Sequence, residues 1–331
     1  MKKIFVTGGA GFVGSHCVIS LVENGYVPII LDNFSNSKKN IIKKLEIITN
    51  KKIIFYKIDI RDKKKLRSIF KKHSCYAVIH CAGSKAVGES TEKPILYFEN
   101  NVGSTLSLLE CMRERKIFKI IFSSSASVYN LDKKSPLKET SELGNIKNPY
   151  GTSKYIIEKI LADLSNFDNK WSVRIARYFN PIGNHYSGLL REDPNGKPNN
   201  LVPYITRVIE KKLPILNIYG RNYNTKDGTG IRDYIHVMDL AEAHIEMINN
   251  NRLKKGLKIY NFGTGKGLSV LDVIQKFETQ LGISIPYKFA KRRKGDTAIS
   301  ICNPKKALKD LNWRAKFNFE QAVMDITKRI K

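Results

Sequence analysis

Short apolar runs alternate along the first half of the chain with stretches whose apolar residues recur every three or four positions. Residues 3–7, 27–31, 53–58, 76–80, 117–122 and 171–178 read as buried strands. Between them, helical spacing is carried by Val18, Leu21 and Val22, by residues 38–48 and 62–71, and by a long stripe from Pro94 to about Glu114 that includes Leu96, Val102, Leu106 and Leu109. A further helix opens at Pro149. This alternation predicts an α/β fold, a doubly wound parallel sheet whose ligands sit at the carboxyl ends of its strands.

After residue 178 the regular alternation stops. Phe179-Asn180-Pro181-Ile182-Gly183 opens a loop-rich region with turn signals at Pro194-Asn195-Gly196 and Asp227-Gly228-Thr229-Gly230. Helices are expected over 202–211, 238–249, 269–281 and 319–330. We read 1–178 as the first domain and 179–331 mainly as a smaller mixed α/β lobe. About 232–265 is expected to return to the first domain through strands at 232–237 and 258–262.

Composition narrows the class. At 331 residues, 42% of them apolar, the chain can bury one large core and a smaller one. Met1-Lys2-Lys3 precedes an apolar run, but Gly8-Gly9 interrupts it too early for a secretory signal, and no apolar run approaches ~18 residues. A cytoplasmic protein without membrane contact is expected. The five cysteines are scattered and form no Cys-x-x-Cys pair, so reduced thiols and no metal site are expected. The net charge of +28 suggests nucleic acid as a partner, yet the lysines are spread through nearly every segment, which disfavours that class.

The candidate chemistry begins at the first strand. It runs into Gly8-Gly9-Ala10-Gly11-Phe12-Val13-Gly14, where Gly8, Gly11 and Gly14 are three apart and a helix follows. Such glycines allow a tight turn and close approach of a pyrophosphate to a helix amino end. The second strand ends in Asp32, about twenty residues on, where a carboxylate takes a ribose 2′-hydroxyl and repels a 2′-phosphate. The strand over 117–122 delivers Ser123-Ser124-Ser125-Ala126-Ser127. Tyr150 and Lys154, four apart, share a helix face. A tyrosine with a fixed cation nearby is a base for a hydroxyl proton, and Ser125 is a hydrogen-bonding partner for the same hydroxyl. Arg232 and Arg293, each near a carboxylate at Asp233 and Asp296, are candidate diphosphate clamps.

Together with Arg177-Tyr178-Phe179-Asn180-Pro181 and the run Asp227 to Leu240, these motifs resemble the UDP-glucose 4-epimerase family of extended short-chain dehydrogenases/reductases over nearly the whole chain. The resemblance implies tightly bound NAD. Its expected contacts are the glycine motif with Phe12 and Val13, Asp32, Asn33, Asp59, Ile60, Cys81, Ala82, Gly83, Lys85, Asn100, Ser125, Tyr150, Lys154 and Phe179. It implies a UDP-sugar held by Ser125, Tyr150, Asn180, Asn200, Leu201, Asn217, Tyr219, Arg232, Arg293 and Asp296, and a homodimer formed through two helices of the first domain. Cys81 departs from the phenylalanine common in bacterial relatives, and Asn130 from a glycine. Ser300 stands where a tyrosine commonly walls the sugar pocket, so acceptance of N-acetylated sugars is expected. A nucleotide-sugar 4,6-dehydratase would carry Asp-Glu where this chain has Ala126-Ser127, and a non-catalytic NAD sensor has no use for Ser125, Tyr150 and Lys154 together.

Overall fold

The computed structural model describes residues 1–130, 135–192, 198, 200–250, 255–293, 296–328 and 330; the expected turn at 194–196 lies outside these. The first half runs β1 (Lys3–Thr7), α1 (Phe12–Glu23), β2 (Val27–Asp32), α2 (Asn40–Thr49), β3 (Ile54–Lys57), α3 (Lys63–Lys72) and β4 (Ala77–His80). There follow α4 (Val87–Glu92), α5 (Pro94–Phe98), α6 (Ser104–Glu114), β5 (Lys119–Ser125), α7 (Pro149–Phe167) and β6 (Ser172–Tyr178). The second half holds β7 (Asn180–Ile182), α8 (Leu201–Ile209), β8 (Leu216–Tyr219), β9 (Ile231–His236), α9 (Val237–Asn249) and β10 (Gly256–Phe262). It continues with β11 (Gly267–Ser269), α10 (Val270–Leu281), β12 (Tyr287–Ala290), β13 (Ile299–Ser300), α11 (Lys305–Leu311) and α12 (Phe319–Thr327).

Seven strands form one parallel sheet in the order β10-β6-β5-β4-β1-β2-β3, the doubly wound order with a seventh strand added beyond β6. Its central strands β1, β2 and β4 are apolar on both faces because helices cover both. Ile4 and Val6 pack into a core shared with α1 and α9, while Phe5 between them packs into the opposite core with Leu66, Leu108 and Ile157. Successive side chains of a strand point to opposite faces, so β1 alone supplies both layers. The second lobe has its own core, including Ile205, Ile218, Phe277 and Val323. No helix among the described residues is long and apolar enough to cross a membrane.

Two expectations are corrected. Of the stretches expected to rejoin the large sheet, β10 pairs with β6, but β9 lies in a separate sheet with β7, β11 and β13. Polar contacts hold both sides of β9 there, Arg232 to Asp296 and Asp233 to Thr264, Gly265 and Cys302. The helix expected from Pro94 to Glu114 is also not continuous. Glu99–Gly103 widens into a π-helical turn, and Asn100 and Asn101 fall within it. Such bulges gather at functional sites because they turn side chains off the regular helix faces.

Candidate active site

The glycine turn explains itself through contacts. Gly8 has φ +66°, and a Cβ there would lie 2.7 Å from the amide nitrogen of Ala82, so the loops leaving β1 and β4 pass too closely for any other residue. A Cβ on Gly14 would lie 2.2 Å from the Gly8 carbonyl oxygen, which is how closely α1 packs on the turn. Helix α1 begins at Gly11 with no side-chain cap and no acidic residue in its first turn. Its first N–H groups therefore meet no anion of the protein's own, an arrangement suited to a pyrophosphate.

Asp32, at the end of β2, accepts from the Ala10 amide at 3.0 Å, the Phe34 amide at 2.7 Å and the Ser37 hydroxyl at 3.3 Å. Burial raises its pKa and these bonds oppose the rise. A carboxylate has about four acceptor positions, so one is left for a ribose hydroxyl. Asn33 is half-buried beside it, and the buried Ile60 closes the adjoining loop. Asp59 instead holds Arg61 through two bonds of 3.0 and 2.7 Å, which lowers its pKa.

The loop after β4 is fixed by a residue that motif reasoning missed. Asn101, 1% exposed, accepts from the Ser84 amide at 2.7 Å and donates to the Ser84 carbonyl at 3.1 Å and the Ser153 hydroxyl at 2.9 Å. It thereby ties residues 83–85 to helix α7. Asn100 donates to the Ser84 hydroxyl at 2.8 Å. The Thr105 hydroxyl donates to the Asn101 carbonyl at 2.7 Å, so its oxygen accepts from His80 Nε2 at 2.9 Å, and His80 Nδ1 accepts from the Thr7 hydroxyl at 2.7 Å. Burial, with the Lys154 charge nearby, lowers the His80 pKa to about 3 and keeps the ring neutral. Lys85 reaches across to Glu192 at 2.5 Å, and Glu192 also accepts from Asn200 at 3.0 Å. Glu192, another residue the motifs did not mark, thus joins an expected cofactor contact to an expected sugar contact.

Ser125 ends β5, and Tyr150 stands in the first turn of α7, which is opened by Pro149 and capped by the Asn148 side chain accepting from the Gly151 amide at 2.8 Å. The Ser125 side chain is near enough to the Tyr150 phenol to act on its ionisation. Ser125 Oγ receives the Ser127 amide at 3.2 Å and the Ser127 hydroxyl at 3.0 Å. Burial raises the Tyr150 pKa, and the Ser125 side chain and the Lys85 charge oppose it. Lys154 is 5% exposed, donates to the Ser123 carbonyl at 2.8 Å, and lies 4.8 Å above the Phe122 ring centre. Burial brings its pKa down to about 8. The two side chains share a helix face as spacing requires. Helical side chains lean toward the amino end, so Tyr150 projects past the helix start while Lys154 reaches the end of β5.

Cys81 lies at the end of β4 with its Sγ 3.1 Å from the Ser123 hydroxyl, and Gly83 stands near Lys154, whose Nζ would be 3.8 Å from an added Cβ. Phe179 is 5% exposed and packed with Ala126, Val128 and Tyr129, so its ring belongs to a small core, and its N–H donates to the Phe262 carbonyl at 3.2 Å.

In the second lobe the expected diphosphate arginines are arranged differently from their sequence neighbours. Arg232 pairs with Asp296 and donates to the Thr297 carbonyl at 2.9 Å. Asp233, one residue on, points to the opposite side of β9, fully buried, and accepts from the Thr264, Gly265 and Cys302 amides at 2.9, 2.9 and 3.1 Å. It is a strut for those loops and no partner of Arg232. Arg293 stacks 4.0 Å above the Tyr219 ring. Asn217, two residues earlier on β8, has a buried Oδ1 without a hydrogen-bond partner among the described residues, which is suited to a ligand donor. Asn180 begins β7 opposite Tyr234, and Leu201 begins α8. Ser300, 6% exposed, is in register with Arg232 across the β13–β9 pair.

Comparisons with known proteins are consistent throughout. A family model described as the NAD dependent epimerase/dehydratase family matches residues 4–263. The chain is 48% identical to a UDP-glucose 4-epimerase of Neisseria meningitidis serogroup C, over 98% of this chain and 96% of that protein. A crystal structure of UDP-glucose 4-epimerase from Bifidobacterium longum in complex with NAD+ and UDP superposes with a TM-score of 0.96 at 44% identity, covering 99% of this chain and 98% of that one. The UDP-Glc/GlcNAc 4-epimerase of Campylobacter jejuni superposes with a TM-score of 0.84 at 31% identity, covering 98% of each.

Proposed function

The chain belongs to the NAD dependent epimerase/dehydratase family, among its UDP-glucose 4-epimerases, and on that premise we propose how its own residues carry out the reaction. It is an isomerase that uses NAD. NAD supplies a reversible hydride acceptor at its nicotinamide. The Gly8 turn and the uncapped start of α1 hold the pyrophosphate, and Asp32 takes the ribose. Tyr150 removes the proton of the sugar 4-hydroxyl while Ser125 orients that hydroxyl. The buried Lys154 contributes a fixed positive charge in a site of low dielectric. The 4-keto sugar so formed turns over while Arg232 and Arg293 keep the diphosphate, and Tyr150 returns the proton with C4 inverted.

The observation that carries this reading is the placement of Ser125 at the end of β5 and of Tyr150 in the first turn of α7, with Lys154 anchored two residues from Ser125 on the Ser123 carbonyl. Purified protein given UDP-galactose and no added NAD should form UDP-glucose; failure to do so overturns the reading. Ala126 and Ser127 offer neither acid nor base for expelling water, which disfavours a dehydratase.

Three further parts belong to the proposal. Val87, Ile95, Leu96 and Leu106 are exposed on the α4–α6 face, which suits a homodimer formed there and at α7. Five free thiols suit a cytoplasmic location. The small Ser300, beside Arg232, leaves room for an acetamido group, and the Campylobacter jejuni relative, named for both sugars, favours that reading. Wild type should therefore turn over UDP-N-acetylglucosamine as well as UDP-glucose, and Ser300→Tyr should suppress only the former, since a steric wall rejects by clash. Paired assays of both sugars check this; equal losses in Ser300→Tyr, or no wild-type turnover of the acetamido sugar at saturation, would sink it.

A further inference from the structure

Three soft ligand side chains from distant segments meet under the loop that follows β4. Cys17 comes from α1, Cys81 from the end of β4 and His244 from α9, and their two sulfurs and a ring nitrogen all lie within 4.8 Å of one another. Cys17 and His244 are fully buried. The tautomer of His244 follows from its partner: Nδ1 lies 2.8 Å from the Leu240 carbonyl, which can only accept, so Nδ1 carries the proton. Nε2 then presents its lone pair inward, where it meets the Ser123 hydroxyl at 3.2 Å. The same hydroxyl is 3.1 Å from Cys81 Sγ.

We infer that Cys17, Cys81 and His244 form a binding site for one thiophilic divalent cation of the zinc class, with the Ser123 hydroxyl beside the fourth position. Two thiolates and a neutral imidazole are the donors such an ion prefers, whereas magnesium and calcium select oxygen. A tetrahedral zinc bound at its usual bond lengths places neighbouring ligand atoms about 3.5–3.8 Å apart, so the side chains need close in by only about 1 Å. The backbone carbonyl on Nδ1 orients the ring as ligating histidines usually are oriented. Binding exchanges the two thiol protons for the ion and releases them to solvent. The two thiolates then cancel its charge, and the nearby Lys154 ammonium is not opposed. No spacing motif announces the site, because the parallel sheet and the packing of α9 on α1 bring the three residues together.

The ion would hold Cys81 and Ser123 rigidly at the end of the strands that support the catalytic residues, so it should act as a reversible inhibitor. Binding itself is independent of the proposed reaction and is read separately. Full-length protein under anaerobic conditions is titrated with cobalt(II), a coloured stand-in for zinc. The expected result is one equivalent per chain with a thiolate-to-cobalt charge-transfer absorption, abolished by excess zinc. Cys17→Ser, and separately His244→Gln, should weaken cobalt affinity by at least the ~10–100-fold that loss of a supporting partner alone costs. Circular dichroism confirms that each variant is folded, and the milder Cys17→Ala replaces any that is not. Activity of wild type, but not of Cys17→Ser, should fall on adding zinc and return on adding a chelator. Absence of the charge-transfer absorption in wild type, or its persistence at full strength in both variants, would overturn the inference.

Discussion

Replacing Tyr150 by phenylalanine is expected to lower turnover of UDP-galactose by at least ~100-fold, the usual scale for loss of a general base, while fold and bound NAD are retained. The hydroxyl removed is the only atom that changes. The helix start around it is held by the Asn148 cap and Pro149, neither of which depends on the phenol. Steady-state rates, with NAD content read from the denatured protein, test this. Undiminished turnover would show that another group takes the proton.

The second large effect concerns stability. Glu158 follows Lys154 by one turn on α7 and is 4% exposed; Arg177 on β6 is 1% exposed. Arg177 Nε lies 3.0 and 3.1 Å from the two carboxylate oxygens, and its second nitrogen 2.5 Å from one of them. The Ser124 hydroxyl donates to the same carboxylate at 2.5 Å, and Arg177 also donates to the Tyr129 hydroxyl at 3.1 Å and the Glu139 carbonyl at 3.2 Å. Burial alone would lower the Arg177 pKa, but Glu158 more than reverses that and keeps the guanidinium charged. Removing one partner strands a buried charge at a cost of about 3–5 kcal/mol, whereas removing both strands none. Glu158→Leu should therefore lose about 3–5 kcal/mol, a large part of a typical domain's margin of about 5–15 kcal/mol, and Glu158→Leu with Arg177→Met should recover much of the loss. Urea unfolding midpoints measure both. A loss within ~0.5 kcal/mol for Glu158→Leu would mean that the pair contributes as little as a surface one.

Much of the fold was legible because hydrophobic period reports directly on burial. The strands β1, β2 and β4 are apolar on both faces, and a covered parallel sheet suits such strands. The glycine turn was legible for a geometric reason, since contacts of 2.7 and 2.2 Å to an added Cβ forbid side chains at Gly8 and Gly14. The partners of charged groups were not legible. Adjacent positions in β9 send Arg232 and Asp233 to opposite sides, so the carboxylate beside the arginine in sequence is not its partner in space. Asn101 and Glu192 act through loops whose course no local pattern encodes. The π-helical turn at Glu99–Gly103 is silent too, since an apolar stripe continues through it. Glu158 could have been noticed, because Tyr150, Lys154 and Glu158 follow one another at intervals of four on a single helix face.

The most direct test of the proposed cycle follows one hydrogen atom. UDP-galactose deuterated at C4 is incubated with the purified protein and no added NAD, and the product is examined by mass spectrometry and proton NMR. If hydride leaves C4 for the bound cofactor and returns to the opposite face of the same carbon, the product is UDP-glucose with deuterium still at C4. Unlabelled UDP-glucose, deuterium carried to C6 of a dehydrated sugar, or no conversion at all would contradict the account.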